Sequence, residues 1–294
     1  MPEQFSIRHI GDRRDGRRLY TLASDFLLMP HLVRSPADAV NSFTDRIETT
    51  AIDNWIETQQ HLRGLDISLM HVFIASYVRT LSLCPALNRF VAGRYLYARR
   101  SIDIVLSGGR SASSDGGSMT AKLRFLPADT IFDVCRKINT QVDSLRADED
   151  TSRMERFTGV LVKTPRFVIR FGVSILRWLD YHGWLAESIT ERSRFHGSAV
   201  ISDEGANGMP PISRSLNSIG TIPVSLSVGR RSTVTELNDH GQPERRRYLD
   251  YTVSFDSRIA DSAYISLAFR TFRRCLSDPS ILSRPPERVN DDTI

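Results

Sequence analysis

A chain of 294 residues with 40% hydrophobic and 25% charged residues has the balance of an ordinary globular protein, which excludes wholesale disorder, a collagen-like rod and a coiled-coil rod. The formal net charge of +5 is carried by arginine, because Lys122, Lys137 and Lys163 are the only lysines. The arginines run from Arg8 to Arg288 instead of clustering between aromatic residues, so nucleic acid is not an expected partner. Cys84, Cys135 and Cys275 lie far apart, are odd in number and lack metal-ligand spacing. They fit a reducing, cytoplasmic setting better than a disulfide framework. The first twenty residues have no apolar signal core, and no uncharged apolar run approaches the ~18 residues that read as a spanning helix.

Residues 1–38 are expected to form an N-terminal arm, polar and Arg/Asp-rich over 1–18. AVNSFTDRIETT, from Ala39, predicts a strand, with Val40, Phe43 and Ile47 apolar and threonines between them. A short helix follows from Asp53 to about His61. Residues 67–83 are apolar nearly all round, which predicts a buried helix stopped ahead of Pro85. Strands are expected over 94–106 and 119–126, separated by a Gly/Ser loop at 108–118 that breaks the pattern. A helix over 129–147 has Ile131, Phe132, Cys135, Ile138, Val142 and Leu145 on one face and a capping signal at Asp129 or Thr130.

The stretch 154–190 is unusual. Phe167, Val168, Phe171, Ile175, Trp178 and Leu179 share one helical stripe, and Arg166, Arg170 and Arg177 another. A basic amphipathic helix of this kind either lies on a membrane surface or packs on its own domain with its arginines in water. A strand (198–202), a Gly/Pro-rich turn (205–211) and a strand pair around 221–228 and 248–256 come next, the pair joined by a polar loop, NDHGQPERRR. A last helix is expected from about 260 to 276, and a solvated tail over 283–294 that includes Asp291 and Asp292.

The informative segment is YTVSFDSRIADSAYISLAFRTFRRCLSDPSIL, Tyr251 to Leu282. It resembles the C-terminal signature of the chloramphenicol acetyltransferase and dihydrolipoamide acyltransferase family, S-x-D-H-R-x-x-D-G-A and then a helix ending L-x-D-P. Ser254, Asp256, Arg258, Asp261, Ala263, Leu276, Asp278 and Pro279 fall in register with it. Upstream, VISDEGANG (200–208) resembles the family's T-I-S-N-L-G turn, PALNRFVAGR (85–94) its P-x-L-N segment, and GTIPVSLSVG (220–229) a strand of its central sheet. The resemblance spans 39–282. It implies an α/β two-layer sandwich, a mixed central sheet with helices on one face, carrying the 154–190 stretch as an insertion. It also implies a homotrimer with each active site between two subunits. Coenzyme A or acyl-CoA would be the co-substrate, with no covalently bound cofactor and no metal.

The departures bear on chemistry. The family's general base is the histidine of D-H-R, and Ser257 stands at that position. A serine hydroxyl does not bind a proton near neutral pH, so it cannot replace an imidazole. The glycine after the motif aspartate is Ser262, and the asparagine of S-N-L-G is Asp203. Ser202 is kept, and its family counterpart donates a hydrogen bond to the tetrahedral oxyanion. Loss of a base costs ~10²–10⁴ in rate, whereas an oxyanion donor alone is worth ~10²–10³. Of the seven histidines, His196 is nearest in sequence to Ser202, yet ~20 Å of extended chain would separate them. Asp256 and Arg258 are expected as a structural ion pair, and Asp261 as either part of that scaffold or part of the catalytic set.

No phosphate-binding loop, dinucleotide fingerprint or G-x-S-x-G elbow is present. Two functions remain open: an acyltransferase using an acyl-thioester donor, with Ser202 at the oxyanion, or a non-catalytic pseudoenzyme that assembles or binds a small-molecule or lipid ligand in the old channel.

Overall fold

The computed structural model describes residues 11–108, 119–147, 165–238 and 240–292. The interior of the Gly/Ser loop, residues 154–164 of the basic stretch and His9 lie outside the described residues. In chain order the elements are β1 (Gly16–Arg18), α1 (Ser24–Leu32), β2 (Val40–Glu48), α2 (Thr50–Arg63), α3 (Leu69–Leu83), β3 (Arg89–Ala92), β4 (Tyr95–Arg99), β5 (Ile102–Gly108) and β6 (Met119–Phe125). They continue as α4 (Ile131–Ala147), α5 (Arg166–His182), α6 (Glu187–Arg192), β7 (Ala199–Asp203), β8 (Val224–Leu237), β9 (Pro243–Asp256) and α7 (Ser262–Ser277).

Six strands form one sheet in the order β2-β9-β8-β7-β5-β6. Its pairs are antiparallel except β5–β7 and β7–β8, which are parallel, so the sheet is mixed. Side chains alternate between the two faces of a strand. Leu106, Ile201, Leu226, Val253 and Phe43 are registered partners and turn to one face, which α2, α3, α4 and α7 cover. Phe73 of α3 and Phe272 of α7 meet Tyr251 of β9 edge to face, the favoured geometry for aromatic pairs. This is the expected two-layer α/β sandwich. Outside it, β1, β4 and β3 form a second small sheet.

Several expectations are adjusted. The arm is packed on the body from Gly11 onward: β1 pairs with β4, and the Arg13 side chain is buried. The predicted strand 94–106 is two strands in different sheets, divided at Arg100 and Ser101. The polar loop before β9 shrinks to Asn238–Gln242, because β8 and β9 continue as a two-stranded ribbon to Leu237 and Pro243. Both ribbon faces meet water there, so the strand signal of alternating apolar residues is missing. The C-terminal segment is docked rather than free. The Asn290 N–H donates to the Ser82 carbonyl, and the Asp292 carboxylate accepts two bonds from Arg89 at 2.6 and 2.7 Å. Helix α3 therefore spends its all-round apolar surface inside this chain, between the sheet, α4, α7 and the C-terminal segment.

Candidate active site

Ser202 sits on β7, between β5 and β8 at the middle of the sheet. Its side chain points to the face opposite the helices, in register with Ser107 and Ser227. The register continues to Thr252 and Thr44 on one side and Thr120 on the other, so one row of hydroxyl residues crosses all six strands. A second row, Ser42, Ser254 and Ser225, lies two residues along. The chain between β7 and β8 crosses this face and uses the hydroxyls: Ile212 N–H donates to Ser227 Oγ at 2.9 Å, and Arg214 N–H to Ser254 Oγ at 3.3 Å. Thr44 and Thr252 bond each other at 2.8 Å. Ser202 differs. Its Oγ is buried and has no hydrogen-bond partner among the described residues. Leaving a buried hydroxyl unpaired costs roughly 1–3 kcal/mol, so its presence calls for an explanation.

The turn after Ser202 is held in shape by its glycine. A Cβ on Gly205 would stand 2.5 Å from the Gly229 carbonyl oxygen, too close for any side chain. Asp203 accepts from Ala206 N–H at 3.0 Å, and Glu204 pairs with Arg214. A pocket of about 300 Å³ opens on the same face at the Val200 end of β7, two residues back from Ser202, walled by Val200, Ser225, Arg214, Leu216, Ile219 and Ile222.

Ser257 lies in the turn between β9 and α7. Its N–H and its hydroxyl both donate to the Ala39 carbonyl, each at 2.9 Å. Arg258 is buried and grips Asp256 with Nε at 2.8 Å and a terminal nitrogen at 2.6 Å. Its other terminal nitrogen donates to the Val33 carbonyl at 3.0 Å, tying the N-terminal segment to the turn. A two-pronged guanidinium–carboxylate pair fixes orientation as well as distance. Asp261 is the N-cap of α7 and accepts from Tyr264 N–H at 2.6 Å. Asp256, Arg258 and Asp261 thus all make contacts that shape the turn.

Ser202 and Ser257 are not brought together within one chain. Two strand spacings and five residues of β9 separate them, roughly 19 Å. His196 does not fill the gap. Its ring is buried, Nδ1 bonds Ser193 Oγ at 2.9 Å, and Nε2 bonds Asp180 Oδ1 at 3.2 Å. The histidine is an anchor for α5, and both its ring nitrogens are engaged by neighbours other than Ser202. His71 is spent in the cap of α3 with Ser68, and burial lowers its pKa. Among the described residues no His/Cys/Asp/Glu group has the arrangement of a metal site, and the three cysteines are free, buried thiols.

The hydroxyl rows escaped the sequence reading, although their signal was present. SFT in β2, SLS in β8 and TVS in β9 each place hydroxyls two residues apart, on one face of a strand.

No family model matches the chain, and no curated protein matches it. Solved structures do. A probable dihydrolipoamide acetyltransferase from Listeria monocytogenes 4b F2365 superposes with a TM-score of 0.52 at 12% identity, over 89% of this chain and 94% of that one. The cubic core of the pyruvate dehydrogenase multienzyme complex gives 0.53 at 13% identity, over 94% of each chain. A truncated catalytic core of the 2-oxoacid dehydrogenase multienzyme complex from Thermoplasma acidophilum gives 0.53 at 13% identity, over 89% and 98%. At such identities the likeness is one of fold. The chain has the fold of these acyltransferase cores.

Proposed function

We propose that this protein binds an acyl thioester of the coenzyme A type at an interface between copies of the chain, with Ser202 aimed at the thioester carbonyl, and that any acyl transfer there proceeds without the usual imidazole base. The observation that carries this reading is the unpaired, buried Ser202 hydroxyl. It is a donor held at the centre of the sheet that no described residue uses. In a dry site such a donor meets negative charge developing on a carbonyl oxygen without having to reorganise. The separation of Ser202 from Ser257 supports a site made by two subunits, and we propose a homotrimer on that basis. The 300 Å³ pocket on the Ser202 face of the sheet, at the Val200 end of β7, has room for part of a thioester arm.

A second reading is a ligand-binding protein with no catalysis. It is favoured by the commitment of Ser257 Oγ to the Ala39 carbonyl, which leaves nothing at the base position able to accept a proton.

Calorimetric titration with coenzyme A and acetyl-CoA, followed by acetyl-transfer assays with dihydrolipoamide and chloramphenicol, separates the readings. We expect binding with negligible wild-type turnover. Ser257→His should raise turnover by up to ~10²–10⁴, and adding Ser202→Ala should take back ~10²–10³ of that gain. Binding with no gain in Ser257→His favours the ligand-binding reading. Absence of both binding and gain overturns the thioester proposal. Robust wild-type turnover that ignores Ser202→Ala places the catalytic centre elsewhere.

A further inference from the structure

Helix α5 is tied to the body at its C-terminal end, where Asp180 bonds Arg13 at 2.9 Å and His196 at 3.2 Å. Asp180 is its one buried residue. Along the rest, Phe167 is 73% exposed, Phe171 68% and Trp178 52%, and Val168, Ile175 and Leu176 are exposed as well. At ~100° per residue, Phe167, Trp178, Phe171, Ile175 and Val168 fall within one ~100° arc, while Arg166, Arg170 and Arg177 gather in a narrow arc that flanks it, ~60° from Phe167 at its near edge. Isolated surface apolar residues are normal, but a contiguous aromatic and aliphatic arc of this kind marks an interaction surface.

The surface extends beyond the helix. The turn between β3 and β4 comes up against α5, where a Cβ on Gly93 would stand 2.6 Å from the Tyr181 carbonyl oxygen. Tyr95 follows, with His31 of α1 packed edge-on against it. Leu28 and Leu32 of α1, Tyr95, Tyr181 and Trp184 are all exposed. Between α1 and α5 runs a groove of about 320 Å³ whose rim carries Arg34, Arg94 and Arg177. None of these three, nor Arg166 or Arg170, has an acidic partner among the described residues. Asp180, the acid lining the same groove, is already held by Arg13 and His196.

We propose that α5, with the adjoining edge of α1, docks the protein onto the surface of a membrane containing anionic lipid. The aromatic and aliphatic arc enters the boundary between headgroups and acyl chains. Arg166, Arg170 and Arg177, with Arg34 and Arg94 beside them, meet lipid phosphates. Charge selects this occupant. Five guanidiniums without an acidic partner among the described residues, next to an apolar face, fit an anionic surface that is apolar underneath. A second copy of the same face would bring two such arginine sets together, and α5 has no acid other than Asp180 to neutralise them. The helix lies on the bilayer rather than crossing it, since no described helix is long and apolar enough to span. Neither Ser202 nor Ser257 takes part in this surface.

The test is cosedimentation of the full chain with vesicles of phosphatidylcholine alone or of equal parts phosphatidylcholine and phosphatidylglycerol, with tryptophan emission and light scattering in parallel. Wild type should sediment with the mixed vesicles and shift its emission to the blue, and salt should weaken the binding. Replacing Arg166, Arg170 and Arg177 together by Gln should weaken binding by on the order of a hundredfold. Phe171→Ser with Trp178→Ser, both at exposed positions, should keep the wild-type circular dichroism and lose vesicle binding. The proposal is overturned if wild type stays in the supernatant with both vesicles, or if the Phe171/Trp178 variant binds as wild type does. It is equally overturned if that variant splits a larger assembly while wild type ignores vesicles, which would assign the face to a second copy.

Discussion

Two serines divide the chemistry of the proposed site. Ser202 keeps a hydroxyl that nothing described uses, while Ser257 spends its own on a backbone carbonyl. The first arrangement costs stability and the second adds to it, so the two should respond oppositely to truncation. Ser202→Ala removes an unpaired buried hydroxyl, and its urea midpoint should match or exceed that of wild type; a large loss of stability would mean that the hydroxyl has a structural partner. Arg258 is the stronger structural residue. Replacing it with Ala strands the Asp256 carboxylate in the interior and releases the carbonyls of Val33 and Arg34. Breaking a buried pair from one side costs about 3–5 kcal/mol, and equilibrium unfolding should show a loss of that size.

At the scale of the element, α5 is held by charge where α3 is held by packing. Burial pushes the Asp180 carboxyl up, but its bond to His196 and the nearby Arg13 guanidinium more than offset this and hold it below the usual carboxylate range. A carboxyl depressed in the folded state stabilises that state above the unfolded value of about 3.9, and loses this contribution as pH falls through the lower folded value. Amide exchange across 166–182 should therefore accelerate below about pH 4, while the buried amides of α3 stay protected. Asp180→Ala should show the faster exchange already at neutral pH and lose the acid dependence. Equal exchange of the variant and wild type at neutral pH would show that α5 is anchored by something other than this carboxylate.

For the whole molecule, the separation of Ser202 from Ser257 is what makes assembly matter. A site that uses both the C-terminal end of β9 and Ser202 on β7 would need a second chain to complete it. A trimer of the 33.3 kDa chain should scatter at about 100 kDa, and a 33 kDa species at micromolar concentration would refute it. The apolar surface of α3 lends that assembly no support, because the chain covers it by itself. The face of α5 is an exposed apolar surface among the described residues, and the vesicle and scattering measurements decide what it meets.

The local elements were legible where burial imposes a period. β2, α3, α4 and α7 read directly from their apolar spacing, and Asp256, Arg258 and Asp261 read from their place in the turn motif. β1, β3 and the outer ribbon of β8 and β9 did not, because strands solvated on both faces, or only a few residues long, carry little period-2 signal. The hydroxyls of β2, β8 and β9 were visible in the text, but their alignment into a row depended on strand order and register. The roles of His196 and Asp292 were decided in the same way: the first turns to Asp180 on α5, and the second crosses the chain to Arg89. The sequence by itself determined the basic amphipathic helix, which rests on residue type and short-range spacing, and it carried the motif resemblance that implied the sandwich; the assignment of Ser257 to the base position belongs to the proposal. Only the tertiary structure decided that Ser202 has no partner among the described residues, that His196 is engaged by Ser193 and Asp180, and that α5 stands exposed, because each of these depends on partners outside the local sequence.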